Sequence, residues 1–178
     1  MVLADGDGLS ALGQSYVAGQ LRYMRELTLL LAPNINSYKR YVEGSFAPTA
    51  LRWGRDNRTC AFRLVGHGAS LRLENRVPGG DVNPYLATAA VIAAGLAGVE
   101  EQLELEPAYV GNAYDDPDAE HVPTSIAEAL DLWRGCEFAR TTFGGDVVDH
   151  YANMAAVELA AFGRAVTDWE RFRGFERL

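Results

Sequence analysis

The sequence is sparing with the residues that most directly announce a chemistry. Its 178 residues include two cysteines, three histidines and a single lysine, Lys39. Cys60 and Cys136 are too few for a disulfide framework, and both are expected to stay reduced in a cytoplasm. His67, His121 and His150 sit in three unrelated contexts, none with a metal-ligand spacing such as His-Glu-x-x-His, so structural or surface roles are expected. No apolar run approaches the roughly 20 residues that span a bilayer. The opening stretch "MVLADGDGLS" is acidic and has no basic n-region, so no secretory signal is expected. There is no phosphate-cradling glycine loop before a helix and no nucleophile elbow; Gly79-Gly80 reads as a turn. The formal charge of −8 argues against general nucleic-acid binding, and aromatics do not alternate with the basic residues as a strand-stacking surface would need.

What is present suggests one domain over residues 1–178, with 48% apolar residues to build a core. Residues 9–31 carry Leu9, Leu12, Tyr16, Leu21, Met24, Leu27 and Leu31 on one side, which predicts a helix capped by Ser10 and ended by Pro33. The stretch "APNINSYKRYVEGSFAP" reads as loop. Three β-forming runs follow, "TALRWGR", "TCAFRLVG" and "SLRLENR", with turn-like separators; they predict three largely antiparallel strands. Asn83 and Pro84 open a second helix, apolar on almost every face and therefore expected to be deeply buried. Residues 106–123 form an acidic loop. Ser125 and Glu128 read as a capping box for a third helix, and residues 146–168 as a last long helix with a charged tail. The fold class expected is α+β.

The charge is unevenly placed. Between Asn34 and Arg76 lie Lys39, Arg40, Arg52, Arg55, Arg58, Arg63, Arg72 and Arg76, against Glu43, Asp56 and Glu74 alone. Either these arginines are scattered over a surface, or they converge on an anion site. Fifteen of the sixteen basic residues are arginine in an alanine-rich chain, which points to a genomic base bias and weakens any argument from arginine's forked geometry. In "LRLENR", strand alternation sets Arg72, Glu74 and Arg76 on one face and Leu71 and Leu73 on the other. Glu74 among arginines calls for ion pairs or a divalent cation.

Taken together, "NINSYKRYVEGSFAPT", "WGRDNRTCAFRL" and "LRLENRVPGGDVNPYLATAAVIAAGLAGVE" resemble the C-terminal part of the glutamine synthetase family's catalytic domain. The tail "VTDWERFRGFERL" is similar to the end of such proteins, so the resemblance covers about Leu9 to Leu178. It implies an ATP-dependent ligase that joins the γ-carboxylate of glutamate to ammonia or an amine through a γ-glutamyl phosphate, as part of nitrogen metabolism. It implies that Arg40 and Arg76 contact the glutamate substrate. Arg58 and Arg63 would serve the transferring phosphoryl group and ATP, with Arg58 the catalytic cation. Glu74 would hold Mg²⁺ or Mn²⁺. Arg72 is expected to do no more than pair with Glu74.

Three positions depart from the family pattern. Phe46 stands where glutamine-forming members place a flap glutamate that helps deprotonate ammonium, and an apolar side chain accepts no proton. That substitution looks more like the γ-glutamyl-polyamine and amine ligase branch. Glu43 stands where proline is usual, and Ala69 where a lysine often precedes Arg72. The family's N-terminal β-grasp domain and the first half of its catalytic domain have no counterpart, so the chain is expected to be inactive alone. Completion by the missing N-terminal half, or a homo-oligomer, is the expected partnership. The alternative is a non-catalytic remnant that keeps the fold for assembly or binding.

Overall fold

The computed structural model describes residues 3–175 and 177. Met1 and Val2 of the acidic opening, and Glu176 and Leu178 of the charged tail, lie outside the described residues. A two-stranded ribbon, β1 (Ala4–Asp5) and β2 (Gly8–Leu9), leads into α1 (Ala11–Leu31). Ser10 caps α1: its hydroxyl oxygen accepts from the Gly13 N–H at 3.0 Å, which satisfies a donor the helix start leaves free. Val17, Met24, Leu27, Leu30 and Leu31 of α1 are buried and run through the main core.

Two helices make the main packing on α1. One is α2 (Pro84–Glu100), capped by Asn83, whose side-chain oxygen accepts from Tyr85 N–H at 3.0 Å. The other is α3 (Ile126–Gly135). The α1–α2 crossing depends on glycine. A Cβ on Gly98 would lie 2.6 Å from the Gly19 Cα and 2.2 Å from the Ser15 carbonyl oxygen. The expected deep burial of α2 does not hold. Ala87, Ala90, Ala94, Gly95 and Gly98 are buried, while Tyr85, Ile92 and Leu96 on the other side are exposed.

β3 (Ala50–Arg55), β4 (Cys60–Val65) and β5 (Arg72–Asn75) form a sheet in the order β3-β4-β5. The α+β class holds, and β4–β5 is antiparallel as expected. β3–β4, however, is parallel. A parallel pair ordinarily needs a crossover of a dozen or more residues; here residues 56–59 alone make the return. The return runs tightly over β3, where a Cβ on Gly54 would lie 2.9 Å from the Asn57 Cβ and 2.9 Å from the Tyr109 carbonyl oxygen. The acidic loop covers the other edge of β3: Tyr109 N–H donates to the Trp53 carbonyl at 2.8 Å and Val122 N–H to the Thr49 carbonyl at 2.9 Å.

Behind the sheet, Leu64, Leu71 and Leu73 face Gly13, Tyr16 and Val17 of α1. The helix backing β5 is therefore the first one, not the alanine-rich one that follows it in sequence. The expected last helix is two, α5 (Gly145–Phe162) and α6 (Asp168–Phe175), preceded by the short α4 (Glu137–Phe143). Glu170 marks the restart, accepting from Thr167 N–H at 2.7 Å in the manner of a capping box. Glu128 at the start of α3 reaches back one residue further than expected, to Thr124 N–H at 2.9 Å. Phe138 of α4 stacks on Tyr23 of α1 with ring centroids 4.0 Å apart.

The glycine crossing gives a direct test. Gly98→Ala should destabilise the protein by about 1–3 kcal/mol, because two helix backbones must separate. Gly135→Ala, where a Cβ meets nothing within 4 Å, should be neutral or slightly stabilising. Urea unfolding midpoints measure both, and equal effects would refute the crossing argument.

Candidate functional site

The β4–β5 register places Arg63 directly opposite Glu74. Arg63 Nη1 lies 3.1 Å from Glu74 Oε2, and Arg76 Nη1 lies 3.3 Å from Glu74 Oε1. The other side of the Arg63 guanidinium pairs with Asp56 Oδ1, with Nε at 2.9 Å. Asp56 belongs to the tight return between β3 and β4, with φ +49°. The result is an alternating row, Asp56–Arg63–Glu74–Arg76, across one face of the sheet. Both arginine side chains are 14% exposed and Glu74 is 41% exposed, so the row lies at a surface of the chain rather than inside it.

The row continues into the loop that carries Phe46. Arg76 Nη2 donates to the Phe46 carbonyl oxygen at 2.6 Å. Phe46 is held at φ +60° with its side chain 62% exposed; a bulky residue rarely adopts this left-handed conformation. Two further bonds fix the loop. Ser45 Oγ donates to the Arg40 carbonyl at 2.8 Å, and Tyr114 Oη donates to the Ala47 carbonyl at 2.8 Å.

The remaining expected site residues divide. Arg40 ends a 3-10 helix (Ile35–Arg40) rather than lying in open loop. Its guanidinium donates to the carbonyls of Val77 and Pro78, immediately after β5, and lies 5.1 Å from the Tyr41 ring centroid. Arg58 is exposed beside Asp56 and makes no side-chain hydrogen bond or ion pair among the described residues. It lines an open cleft of about 440 Å³ with Arg55, Asn57 and Tyr109. Arg72 does not pair with Glu74. It is exposed, and its Nη1 donates to the Ser70 carbonyl at 3.4 Å. The geometry thus joins Arg63, Glu74 and Arg76 in one row. Arg58 stands at its Asp56 end, and Arg40 braces the turn behind its Arg76 end.

Sequence reading missed two members. Asp56 lies in the turn-like separator before Arg63, and an acidic residue there is the available signal. Asp81 accepts from Ser37 Oγ at 2.6 Å and Asn34 Nδ2 at 3.0 Å, tying the 3-10 helix to the turn before α2. The electrostatics follow the pairing. The Arg63 hydrogen bond holds Asp56 below the ordinary carboxylate range. Partial burial pushes Glu74 up, but Arg63 and Arg76 outweigh it and leave it below its usual value. Asp56 and then Glu74 raise Arg63. Elsewhere, Cys60 and Cys136 are free and buried, and burial pushes the Cys60 thiol up to about 11.

Comparison with known proteins fixes the lineage. The profile of the family described as "Glutamine synthetase, catalytic domain" matches residues 1–173. The chain belongs to the glutamine synthetase family. It is 59% identical, over 99% of its length, to the gamma-glutamylethanolamide synthetase GlnA4 of Streptomyces coelicolor, and covers 38% of that protein. It is 40% identical to the glutamate–isopropylamine ligase of a Pseudomonas species, covering 93% of this chain and 37% of that one. A solved structure described as a GmaS/ADP complex superposes with a TM-score of 0.85 at 30% identity, covering 98% of this chain and 42% of the other. The family member thus lies near amine-ligating relatives, and spans about two fifths of their length. No helix among the described residues is long and apolar enough to cross a membrane.

The charge row predicts acid sensitivity. Asp56 and Glu74 are both depressed in the folded chain. Their contribution is therefore complete above the ordinary carboxylate value of about 4 and is lost as pH falls through the lower folded values. Urea midpoints should fall below about pH 4, and Arg63→Gln should flatten part of that fall. Asp81, Asp116 and Glu170, also depressed by their own partners, should supply the remainder. An unaltered pH slope in Arg63→Gln would show that the row contributes nothing.

Proposed function

We propose that this chain supplies the arginine-lined wall of an ATP-dependent glutamate–amine ligase and corresponds to the C-terminal portion of its catalytic domain. The observation that carries the reading is the row Arg63–Glu74–Arg76 ending at the Phe46 carbonyl, in a member of this family. The reaction has two steps. The glutamate γ-carboxylate attacks the terminal phosphorus of ATP and ADP leaves; the amine nitrogen then displaces phosphate from the γ-glutamyl phosphate and loses a proton. Phosphoryl transfer is catalysed mainly by positioning and by cations placed where negative charge spreads.

Arg58, which makes no side-chain hydrogen bond or ion pair among the described residues, is assigned to the transferring phosphoryl group, and Arg63 to the same group and ATP. Arg76 and Arg40 are assigned to glutamate. Each keeps N–H groups beyond those used within the chain, because a guanidinium has five. Phe46 offers the body of an organic amine apolar contact where a carboxylate would have served ammonium.

The residues present do not make up a metal site. Both carboxylate oxygens of Glu74 are paired to arginine, and among the described residues no group of three or more histidine, cysteine, aspartate or glutamate side chains could hold an ion. Glu74 is assigned to Mg²⁺ or Mn²⁺ only as one ligand among others from outside the chain.

The isolated chain should therefore release no glutamate-dependent phosphate from ATP with ammonia, ethanolamine or isopropylamine. Turnover above background would overturn the view that it is incomplete. Substituting this chain for the matched portion of the Streptomyces synthetase should give an active chimera that favours an amine over ammonia. In that chimera Arg58→Ala should lower kcat by about 10²–10³-fold, and Phe46→Glu should shift preference toward ammonia. A chimera that prefers ammonia with Phe46 in place would refute the role given to that side chain.

A further inference from the structure

α2 has two opposite apolar faces, and this chain covers one of them. Successive helical residues turn by about 100°. Ala87, Ala90, Ala94 and Gly98 fall on one side and are buried. Tyr85, Ile92 and Leu96 fall within about 40° of one another on the opposite side, and are 85%, 47% and 45% exposed. No charged residue occurs from Pro84 to Val99. Single exposed apolar side chains are ordinary, but a helix that keeps one face in water carries charge there. A stripe at i, i+7 and i+11 on an uncharged helix is a contact surface.

Two observations indicate what covers it. The solved GmaS structure holds this fold at a TM-score of 0.85, and the match takes up 42% of that chain. There, the same fold is accompanied by more than its own length of further polypeptide. At the start of α2, an open groove of about 500 Å³ has a mixed lining, with Leu86, Tyr151 and Met154 beside Asp81, His150 and Glu158. An extended partner can use the stripe and the groove together. A second copy pairing through the stripe alone cannot: eleven helical residues span only about 16 Å, so two such stripes bury far less than the roughly 1,000 Å² a specific dimer requires.

We propose that the outward face of α2 is the seat of the remaining portion of a glutamine-synthetase-type ligase. This rests on the proposed function, because it takes the partner from the same family. It adds the surface and the side chains that carry the docking, with Ile92 and Leu96 at its centre.

The test compares one double variant in two contexts. In the isolated 178-residue chain, Ile92→Glu with Leu96→Glu should leave Tm unchanged, since both side chains already meet water. In the chimera with the Streptomyces synthetase, the same change should lower Tm by about 10 °C or remove the soluble protein, because two carboxylates would be buried without partners. Equal tolerance in both contexts overturns the proposal, as does a wild-type chimera that fails to fold. Light scattering provides a further check: an isolated chain that is dimeric, and monomeric in the double variant, would assign the face to a second copy instead. The two readings fail separately. A folded, inactive chimera with the expected context dependence retains the docking face and refutes the ligase reading. An active chimera that tolerates both glutamates refutes the docking face alone.

Discussion

The arrangement of the candidate site depends on one cross-strand ion pair, Arg63 with Glu74. The antiparallel register sets the two side chains opposite each other, and every other charged contact in the row is built outward from them. Arg63 has a fork with two usable sides, so it can hold Glu74 and Asp56 at once. Glu74 has two oxygens, so it can hold Arg63 and Arg76 at once. Arg76 in turn reaches the Phe46 carbonyl. Four side chains thereby connect the turn between β3 and β4 to the loop that follows the 3-10 helix, two segments that share no strand. Ion pairs at a protein surface contribute modestly to stability, so the larger value of this row is geometric. It fixes the direction of guanidinium groups on the open face of the sheet.

That row needs the tight parallel return, and the return needs Gly54. Asp56 can meet Arg63 because its own N–H donates to the Leu64 carbonyl at 2.9 Å, one residue along β4 from Arg63. The chain must then run back beside β3 to begin β4, across the place a Gly54 side chain would occupy. Asn57 stabilises the passage, donating to the Gly111 carbonyl at 2.9 Å and accepting from Thr59 N–H at 3.0 Å. The acidic loop thus serves the site indirectly, by holding the far edge of β3 and the return segment together.

Much of this was legible in the sequence, and the failures share a cause. Period-two alternation gave the polar face of β5, and the cap residues Ser10, Asn83 and Ser125 gave three helix starts. These signals are local, and the local chemistry decides them. The parallel β3–β4 pairing was not legible, because a short polar separator between two strands normally means a hairpin. Its sign was Gly54 within a strand, which marks close backbone approach. The helix behind the sheet was also misjudged. Chain proximity favoured α2, but Gly13, Tyr16 and Val17 of α1 lie across from Leu64, Leu71 and Leu73. The family resemblance singled out Arg40, Arg58, Arg63 and Arg76. It could not show that Arg72 points away, or that Arg40 is committed to the carbonyls of Val77 and Pro78.

The burial of α2 is the most instructive miss. An all-apolar helix was expected in a core, and half of it is in one. Composition reports how much surface a helix must remove from water, but not which neighbour removes it. The same argument applies to the charge row. Glu74 pairs with both arginines through its two oxygens, so within this chain the charges of the row are matched, while Arg76 Nε is buried without a hydrogen-bond partner. A phosphate or carboxylate ligand would have to compete with Glu74 and Asp56 for the same forks. An ion, or a further cation, that drew Glu74 away would release Arg63 and Arg76 toward an anion. The chain therefore presents two surfaces whose chemistry is unfinished in the same sense. One is apolar without a cover, and the other is cationic but neutralised by its own carboxylates. The first condition would be relieved by additional polypeptide that brings an apolar face to α2, and the second by a cation held beside Glu74 by ligands outside this chain.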